Sequence, residues 1–404
     1  MMLRMAFRNT LRQKRRTALT LLTIVGGFTL ASISIGWSDG TYGYLINAFT
    51  SDRLGQIQIH HSGYLDKPSL YKRIPDYIAV GSAAQKIAGV KSWAPRIYSA
   101  GLASLDDKTA GIQLIGIDPE REESTTRFSA KVIQGRALSQ IPSHQVLLGK
   151  ALAGMLGAGL GSQIVLVTQA ADGSIADDAF NLIGIVETGD ETTDRLSFYL
   201  TLADAQQLLA IGNEVHEIII TVSNLKRVGE ITDSITASLR DPDLEVEPWQ
   251  KFAKSFYEAM KADEKGMWIT LFIIILIVAV GVLNTVLMSV LERRREYGLM
   301  KALGTSPGQI VNLVFAELCL IVLGGLILGS VLGAISNWLL SIRGIALPTP
   351  ISYGGVEFTR MYSEINVRSF VIPAVTVTVS AILVGLAPAL KAARTEPVKA
   401  MRQF

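Results

Sequence analysis

The sequence predicts a membrane protein of four transmembrane α-helices, with a large α+β extracytoplasmic domain between helices 1 and 2. Three observations predict it. Hydrophobic residues make up 49% of the 404 and the mean hydropathy is +0.35, high for a chain that folds in water. Four stretches, 17–38, 266–291, 318–342 and 369–390, carry no charged side chain, and each exceeds the roughly 20 residues that a spanning helix needs. Between the first two lie 227 polar and apolar residues in mixed order, long enough to bury a core of their own.

The first segment, 1–16, holds Arg4, Arg8, Arg12, Lys14, Arg15 and Arg16 and no acid. It reads as a cytoplasmic amphipathic entry into span 1 (17–38). A cleaved signal peptide is the other reading of a basic start before an apolar run. Here the run is longer than the roughly 7–15 residues of a signal core and no A-x-A site follows, so the segment is expected to be retained.

Residues 39–265 carry 21 basic and 29 acidic side chains, whereas 292–301 and the tail after residue 390 are net basic. The positive-inside rule then places both termini and the loop between spans 2 and 3 in the cytoplasm and 39–265 outside, across a bacterial inner membrane. The basic excess sits beside the spans, where anionic lipid headgroups lie, and does not point to nucleic acid.

Within 39–265, β-branched or alternating runs predict strands over 56–60, 112–117, 164–168, 182–186 and 218–222. Apolar spacing of three and four predicts helices over 81–88, 149–156, 202–209 and 228–239. The stretches 172–178 and 189–194 read as turn-rich loops. Residues 248–265 read as a helix running straight into span 2 (266–291), one rod suited to carrying movement. The single cysteine, Cys319, lies inside span 3, so the outer domain has no disulfide to draw on.

Residues 292–309 form a charged, helix-prone segment between two apolar runs, ended by Gly304 and Pro307. Span 3 follows at 310–342. Its Gly325, Gly329 and Gly333 make two overlapping G-x-x-x-G steps, a helix-packing signal; the partner is span 2, span 4 or a second protomer. Glu317 near the inner end of this span reads as structural rather than as a proton relay. An outer loop (343–368), span 4 (369–390) and a cytoplasmic tail (391–404) complete the chain. Around the outer ends of spans 1 and 2, Trp37, Tyr42, Phe256, Met260, Met267 and Trp268 form a candidate collar for an acyl chain, or an ordinary aromatic belt.

Three stretches in this order resemble the MacB and FtsX superfamily of ABC transporter permeases: FRNTLRQKRRTALTLLTI at the start, ERRREYGLMKALGTSPGQIVNLVFAE over 292–317, and PALKAARTEPVKAMR over 388–402. Within it the lipoprotein-releasing LolC and LolE group is the nearest likeness, because no ATPase is fused to the chain. The resemblance implies a non-catalytic permease subunit in which 292–309 couples to a separate ABC ATPase dimer. It assigns that contact to Glu292, Arg294, Glu296, Tyr297, Met300, Lys301 and Leu303. It also implies a second permease protomer, identical or related, contact with membrane lipids, and a lipoprotein or periplasmic carrier as cargo or partner. Efflux of small molecules or peptides, and FtsX-like signalling to a cell-wall hydrolase, are the alternatives.

Chemistry on the chain itself is disfavoured. No G-x-x-x-x-G-K-[ST] loop occurs, so ATP and Mg belong to the partner ATPase and no cofactor or metal is expected here. The G-x-S-x-G match at Gly36–Gly40 follows a membrane helix, not the strand that a nucleophile elbow requires. His60 and His61 are adjacent on a strand and point to opposite faces, which is unsuited to sharing a metal.

Overall fold

In the computed structural model the described residues are 2–12, 14–353 and 356–396. In chain order, α1 (Met2–Arg12), α2 (Lys14–Phe49) and a π-helical turn (Thr50–Leu54) lead into β1 (Ile57–His61), α3 (Tyr77–Gln85), β2 (Val90–Leu105), β3 (Lys108–Ile117) and α4 (Pro119–Thr126). Next come β4 (Val132–Gly135), β5 (Gln145–Gly149), α5 (Lys150–Leu156), β6 (Gln163–Gln169), β7 (Ile175–Val186), α6 (Glu191–Leu196), β8 (Ser197–Thr201) and α7 (Leu202–Leu208). The chain returns through β9 (Glu217–Val222), α8 (Val228–Leu239), β10 (Leu244–Pro248) and α9 (Trp249–Phe252) to α10 (Lys254–Glu292), α11 (Arg294–Ala302) and α12 (Pro307–Arg343). A hairpin of β11 (Ile345–Tyr353) and β12 (Val356–Met361) precedes α13 (Arg368–Ala393). Two compact units result, divided within α2 at Gly43/Tyr44 and within α10 at Glu258/Ala259.

The α+β unit is organised by β2. Its first half pairs antiparallel with β9 and its second half with β6, while β3 runs antiparallel along residues 96–105. Because β3 pairs with β8, β8 with β5, β5 with β7, and β7 with β6, the strands β2, β3, β8, β5, β7 and β6 close into a ring. Ring closure removes the free edges that a sheet of apolar strands would otherwise offer. β6 shows the alternation expected of a wall with one buried face: Ile164, Leu166 and Thr168 are buried and Val165 is exposed. On the other side, β9, β1 and β10 extend the sheet. The short helices are capped by sequence: Asp118 accepts from the Glu120 and Arg121 amides ahead of Pro119, and Thr201 accepts from Asp204 N.

In the helical unit four helices, Lys14–Leu54 counting the π turn, α10, α12 and α13, are long and apolar enough to cross a membrane. Their contact is set by small residues. Gly325, Gly329 and Gly333 of α12 lie on α2: a Cβ at Gly329 would stand 2.9 Å from Phe28 Cβ, and one at Gly333 2.9 Å from Ser32 Oγ. Close backbone approach of this kind supplies dispersion where lipid removes the hydrophobic drive. Near the far end of α12, buried Asn337 donates to Ser32 Oγ (3.1 Å) and accepts from Ser363 Oγ (2.9 Å). Asp39 of α2 accepts from Asn366 Nδ2 (2.8 Å) just before α13. Ile269, Phe272, Ile273, Leu276 and Val280 of α10 remain exposed, a face that suits lipid or another helix.

Several expectations change. The glycine stripe packs on span 1, not on span 2 or 4, because Ile24, Phe28 and Ser32 of α2 fill the groove. Residues 248–265 are not one straight helix: α9 ends at Phe252 with Ala253 as its cap, at φ −103° and ψ 42°, and Trp249 N donates to Gln56 O (3.0 Å), which ties the first turn to the residue before β1. From Lys254 the helix is unbroken to Glu292. The turn-rich loops contain more order than expected: β7 starts at Ile175, and Asp190 caps α6 by accepting from Thr192 N. The outer loop carries the β11–β12 hairpin. Ser38 lies inside α2, with no elbow around it. The part of the closing pattern from residue 397 onward lies outside the described residues.

Candidate functional site

The segment 292–309 is where the chain's charges and its apolar packing meet. α10 ends at Glu292, and Arg293, at φ −93° and ψ 14°, turns the backbone into α11. Gly304, at φ +97°, then reverses the chain, a conformation glycine adopts without Cβ strain. α12 starts on a capping box, Ser306 with Gln309, with Pro307 in the first turn.

Helical spacing from Arg293 puts Tyr297 one turn on and Met300 a further turn on, all facing inward. Tyr297 is 1% exposed, in a core with Ile24, Val290, Ile310, Val314, Leu318, Ala389 and Ala392, and Met300 packs against it. Arg293 is buried over the Tyr297 ring, 5.2 Å from its centroid. A buried guanidinium must be paired, and this one is. Its Nη1 lies 2.8 Å from both carboxylate oxygens of Glu317 on α12, and its Nε donates to Glu296 Oε2 at 2.8 Å. Glu317 also accepts from Asn9 Nδ2 of α1 at 2.6 Å. Burial, the largest single influence, would lower the guanidinium pKa, but Glu317, Tyr297 and Glu296 together outweigh it and hold Arg293 above its ordinary value. Burial pushes the Tyr297 phenol up to about 12, so it stays neutral.

Further ties bind α11 into the bundle. Arg16 of α2 pairs with Glu292. Lys301 Nζ donates to the carbonyls of Ala393 (3.0 Å) and Thr395 (2.9 Å), closing the carbonyl end of α13 where a cation is favoured. A small cavity of about 40 Å³, lined by Asn9, Arg16, Thr20, Ser289, Tyr297 and Glu317 among others, lies against this network.

The sequence-derived contact residues therefore divide. Tyr297 is a core residue and offers no surface, because the helix phase that buries Arg293 buries it too. Lys301 and Glu292 are engaged within the unit, and Met300 is half-buried. Glu296 shares Arg293, with Arg12 at 3.9 Å. Arg294 and Leu303 are exposed, Leu303 at 79%. Leu299, 54% exposed and one turn before Leu303, and Arg295 complete that face. Arg293, Glu317 and Asn9 were not placed in the coupling set; the i, i+4 relation of Arg293 to buried Tyr297 was the signal for the first of them.

The collar residues divide as well. Phe256 is a core residue of the α+β unit, stacked on Phe49 at 4.3 Å. Met260 is 8% exposed, and Met267 packs against Ala31, Ile35 and Leu271. Their burial takes Phe256 and Met260 out of an exposed collar. Trp37 and Trp268 are exposed and Tyr42 is half-buried.

Residues 17–238 match the family model of the MacB-like periplasmic core domain, and 268–397 match that of the FtsX-like permease C-terminal region. The first match alone covers more than half of the chain. The chain belongs to the MacB/FtsX family of ABC transporter permeases. Its relatives include the lipoprotein-releasing system transmembrane protein LolC of Neisseria meningitidis, 23% identical over 62% of this chain and 62% of that protein. The LolC of Xylella fastidiosa is 24% identical over 80% of each. The chain thus spans less than two thirds of the Neisseria protein it matches. Among solved structures it is similar to the periplasmic region of MacB from Actinobacillus actinomycetemcomitans, with 16% identity, a TM-score of 0.38, and coverage of 52% of this chain and 94% of that one. As a MacB/FtsX permease it carries the MacB-like periplasmic α+β domain between the first and second of its four candidate membrane helices. The junction around Arg293 lies in its FtsX-like part.

Proposed function

We propose that this permease is the transmembrane subunit of an ABC machine of the mechanotransmission type, fuelled by a separate ATPase. α11 would be the part that receives the push. One observation carries the reading: α11 is exposed on one face through Arg295, Leu299 and Leu303, while its other face is tied to α1, α12 and α13 through Arg293, Glu317, Asn9 and Lys301. A helix exposed on one side and fastened on the other passes displacement to its neighbours instead of absorbing it.

In this reading an ATPase dimer, holding ATP and Mg, docks on the α11 faces of two permease protomers, identical or related. Closure moves α11 and with it the ends of α10 and α12. The displacement travels along α2 and α10, the two helices shared with the periplasmic domain. The positive-inside rule supports a cytoplasmic position for both termini and for α11. The names of the LolC relatives favour a lipoprotein as cargo, released outward with or without a periplasmic carrier.

The test is reconstitution of the permease with its ATPase in vesicles carrying a lipidated protein. ATP-dependent release, lost in Arg295→Glu/Leu299→Asp, is expected. Activation of a soluble wall hydrolase without release would replace transport with signalling. Full ATPase stimulation by the double variant would remove α11 as the contact.

A further inference from the structure

The α+β unit contains a cleft of about 1050 Å³, at the upper end of the roughly 300–1,000 Å³ typical of small-molecule sites. Part of its wall is the outer face of a hydrophobic cluster. Ile115, Phe128 and Tyr199 belong to that cluster, and Ile112 beside them is also buried. Phe252 of α9 lines the same cleft.

Its charges are unequally matched. Arg96 is held by both oxygens of Glu122, through Nε at 3.2 Å and through Nη2. Glu217 accepts from Tyr98 Oη (3.0 Å) and lies 3.1 Å from His60 Nε2. Those two carboxylates are therefore occupied. Arg53 donates from Nη2 to Asp190 (2.8 Å) and Thr193 (2.7 Å), yet its Nη1 is buried with no hydrogen-bond partner. Lys131 has no carboxylate partner among the described residues: its Nζ donates to the Asp52 carbonyl and sits 5.6 Å from the Phe128 ring centroid. Burial, with Arg96 and Arg53 nearby, lowers its pKa to about 8 even though Glu122 and Asp52 oppose the shift. One cationic charge thus lacks a counter-ion, and one guanidinium nitrogen lacks an acceptor, beside a large apolar wall. A lone anion would satisfy the donors and leave the wall wet, and a neutral apolar ligand would cover the wall and leave the donors unmatched.

We propose that this cleft binds a single-chain anionic amphiphile, its carboxylate at Lys131 and Arg53 and its hydrocarbon over Ile112, Ile115, Phe128 and Phe252. The site goes beyond the coupling reading and does not depend on it. Two of its contributors stand at the roots of the long helices: Arg53 on the π-helical turn that ends α2, and Phe252 two residues before α10 begins. π-helical turns recur where a helix serves a site rather than a core. An occupant would touch the turn that follows α2 and the short helix that precedes α10.

The experiment uses the full chain in lipid nanodiscs and a photoreactive diazirine analogue of hexadecanoate, with crosslinked peptides located by mass spectrometry. Labelling is expected within 112–131 and around Phe252, competed by decanoate and not by decanol. Lys131→Met and Arg53→Met should each lower it at least five-fold, and Lys131→Arg should retain most of it. Unchanged thermal unfolding of each variant in the same nanodiscs would separate loss of the site from loss of the fold. Labelling that decanol competes equally, that survives Lys131→Met, or that yields only to decyl phosphate would overturn the proposal.

Discussion

Arg293 and Glu317, 24 residues apart, meet with one guanidinium nitrogen 2.8 Å from both carboxylate oxygens, with Arg293 over the Tyr297 ring and Glu317 beside Asn9. The side chains are 9% and 13% exposed. At that burial, removing one partner strands the other charge, whereas removing both leaves a packing problem.

Glu317→Leu is therefore expected to cost about 3 kcal/mol or more, seen as a lowered unfolding temperature of the detergent-solubilised chain. The double variant Arg293→Met/Glu317→Leu should recover most of that loss. If the pair also aligns α11 for its partner, the double variant will still show reduced ATPase stimulation. Full stimulation at restored stability would reduce the pair to a structural tie.

Leu299→Asp with Leu303→Asp tests the opposite face. Both side chains are exposed, so stability should change by no more than about 0.5 kcal/mol per site. Copurification of the ATPase subunit should be lost. Lys301→Met is the control on the same helix: it removes the donor to Ala393 and Thr395, and so should loosen the end of α13, read by faster proteolysis there.

Gly329→Leu drives a side chain into Phe28 across the α2–α12 contact. The expected cost is about 1–3 kcal/mol, measured as thermal unfolding in detergent. A Gly329→Leu chain as stable as the wild type would show that the two helices separate easily.

His216 predicts an acid-sensitive domain. It is fully buried, its Nδ1 accepts the Tyr98 amide at 3.0 Å, and its Nε2 faces the Leu70 carbonyl at 3.4 Å. Burial lowers its pKa from 6.5 to about 4. As pH falls through 6.5 the unfolded chain takes up a proton that the folded chain refuses until about 4, so stability is lost across that window. The loss totals about 3 kcal/mol at 1.36 kcal/mol per pH unit. Urea unfolding followed by tryptophan fluorescence between pH 7 and 4.5 should show this slope, and His216→Gln should flatten it.

Much of the architecture was legible because it follows from one-dimensional chemistry. An uncharged run long enough to cross a bilayer has few other fates, and a run rich in β-branched residues such as 164–168 marks a strand. β2 was not legible: its second half, SAGLASL, is poor in β-branched residues and forms a strand because β3 and β6 pair with it on either side. The contact residues were legible only as a group. Arg293, Arg294 and Arg295 are chemically identical neighbours, told apart only by the four-residue step from Arg293 to Tyr297, and that step selects Arg293 only once Tyr297 is known to be buried.

By itself the sequence determined the four apolar runs, the distribution of charge beside them, the size of the inserted domain and the caps that start its helices. Each of these depends on residues close together in the chain. Tertiary structure alone decided that Gly325, Gly329 and Gly333 seat α2, that Tyr297 belongs to the core, and that Lys131 lines a cleft with no carboxylate partner among the described residues. Those outcomes depend on which surfaces meet over hundreds of residues, where packing and the cost of an unpaired buried charge select among arrangements that local pattern leaves equivalent.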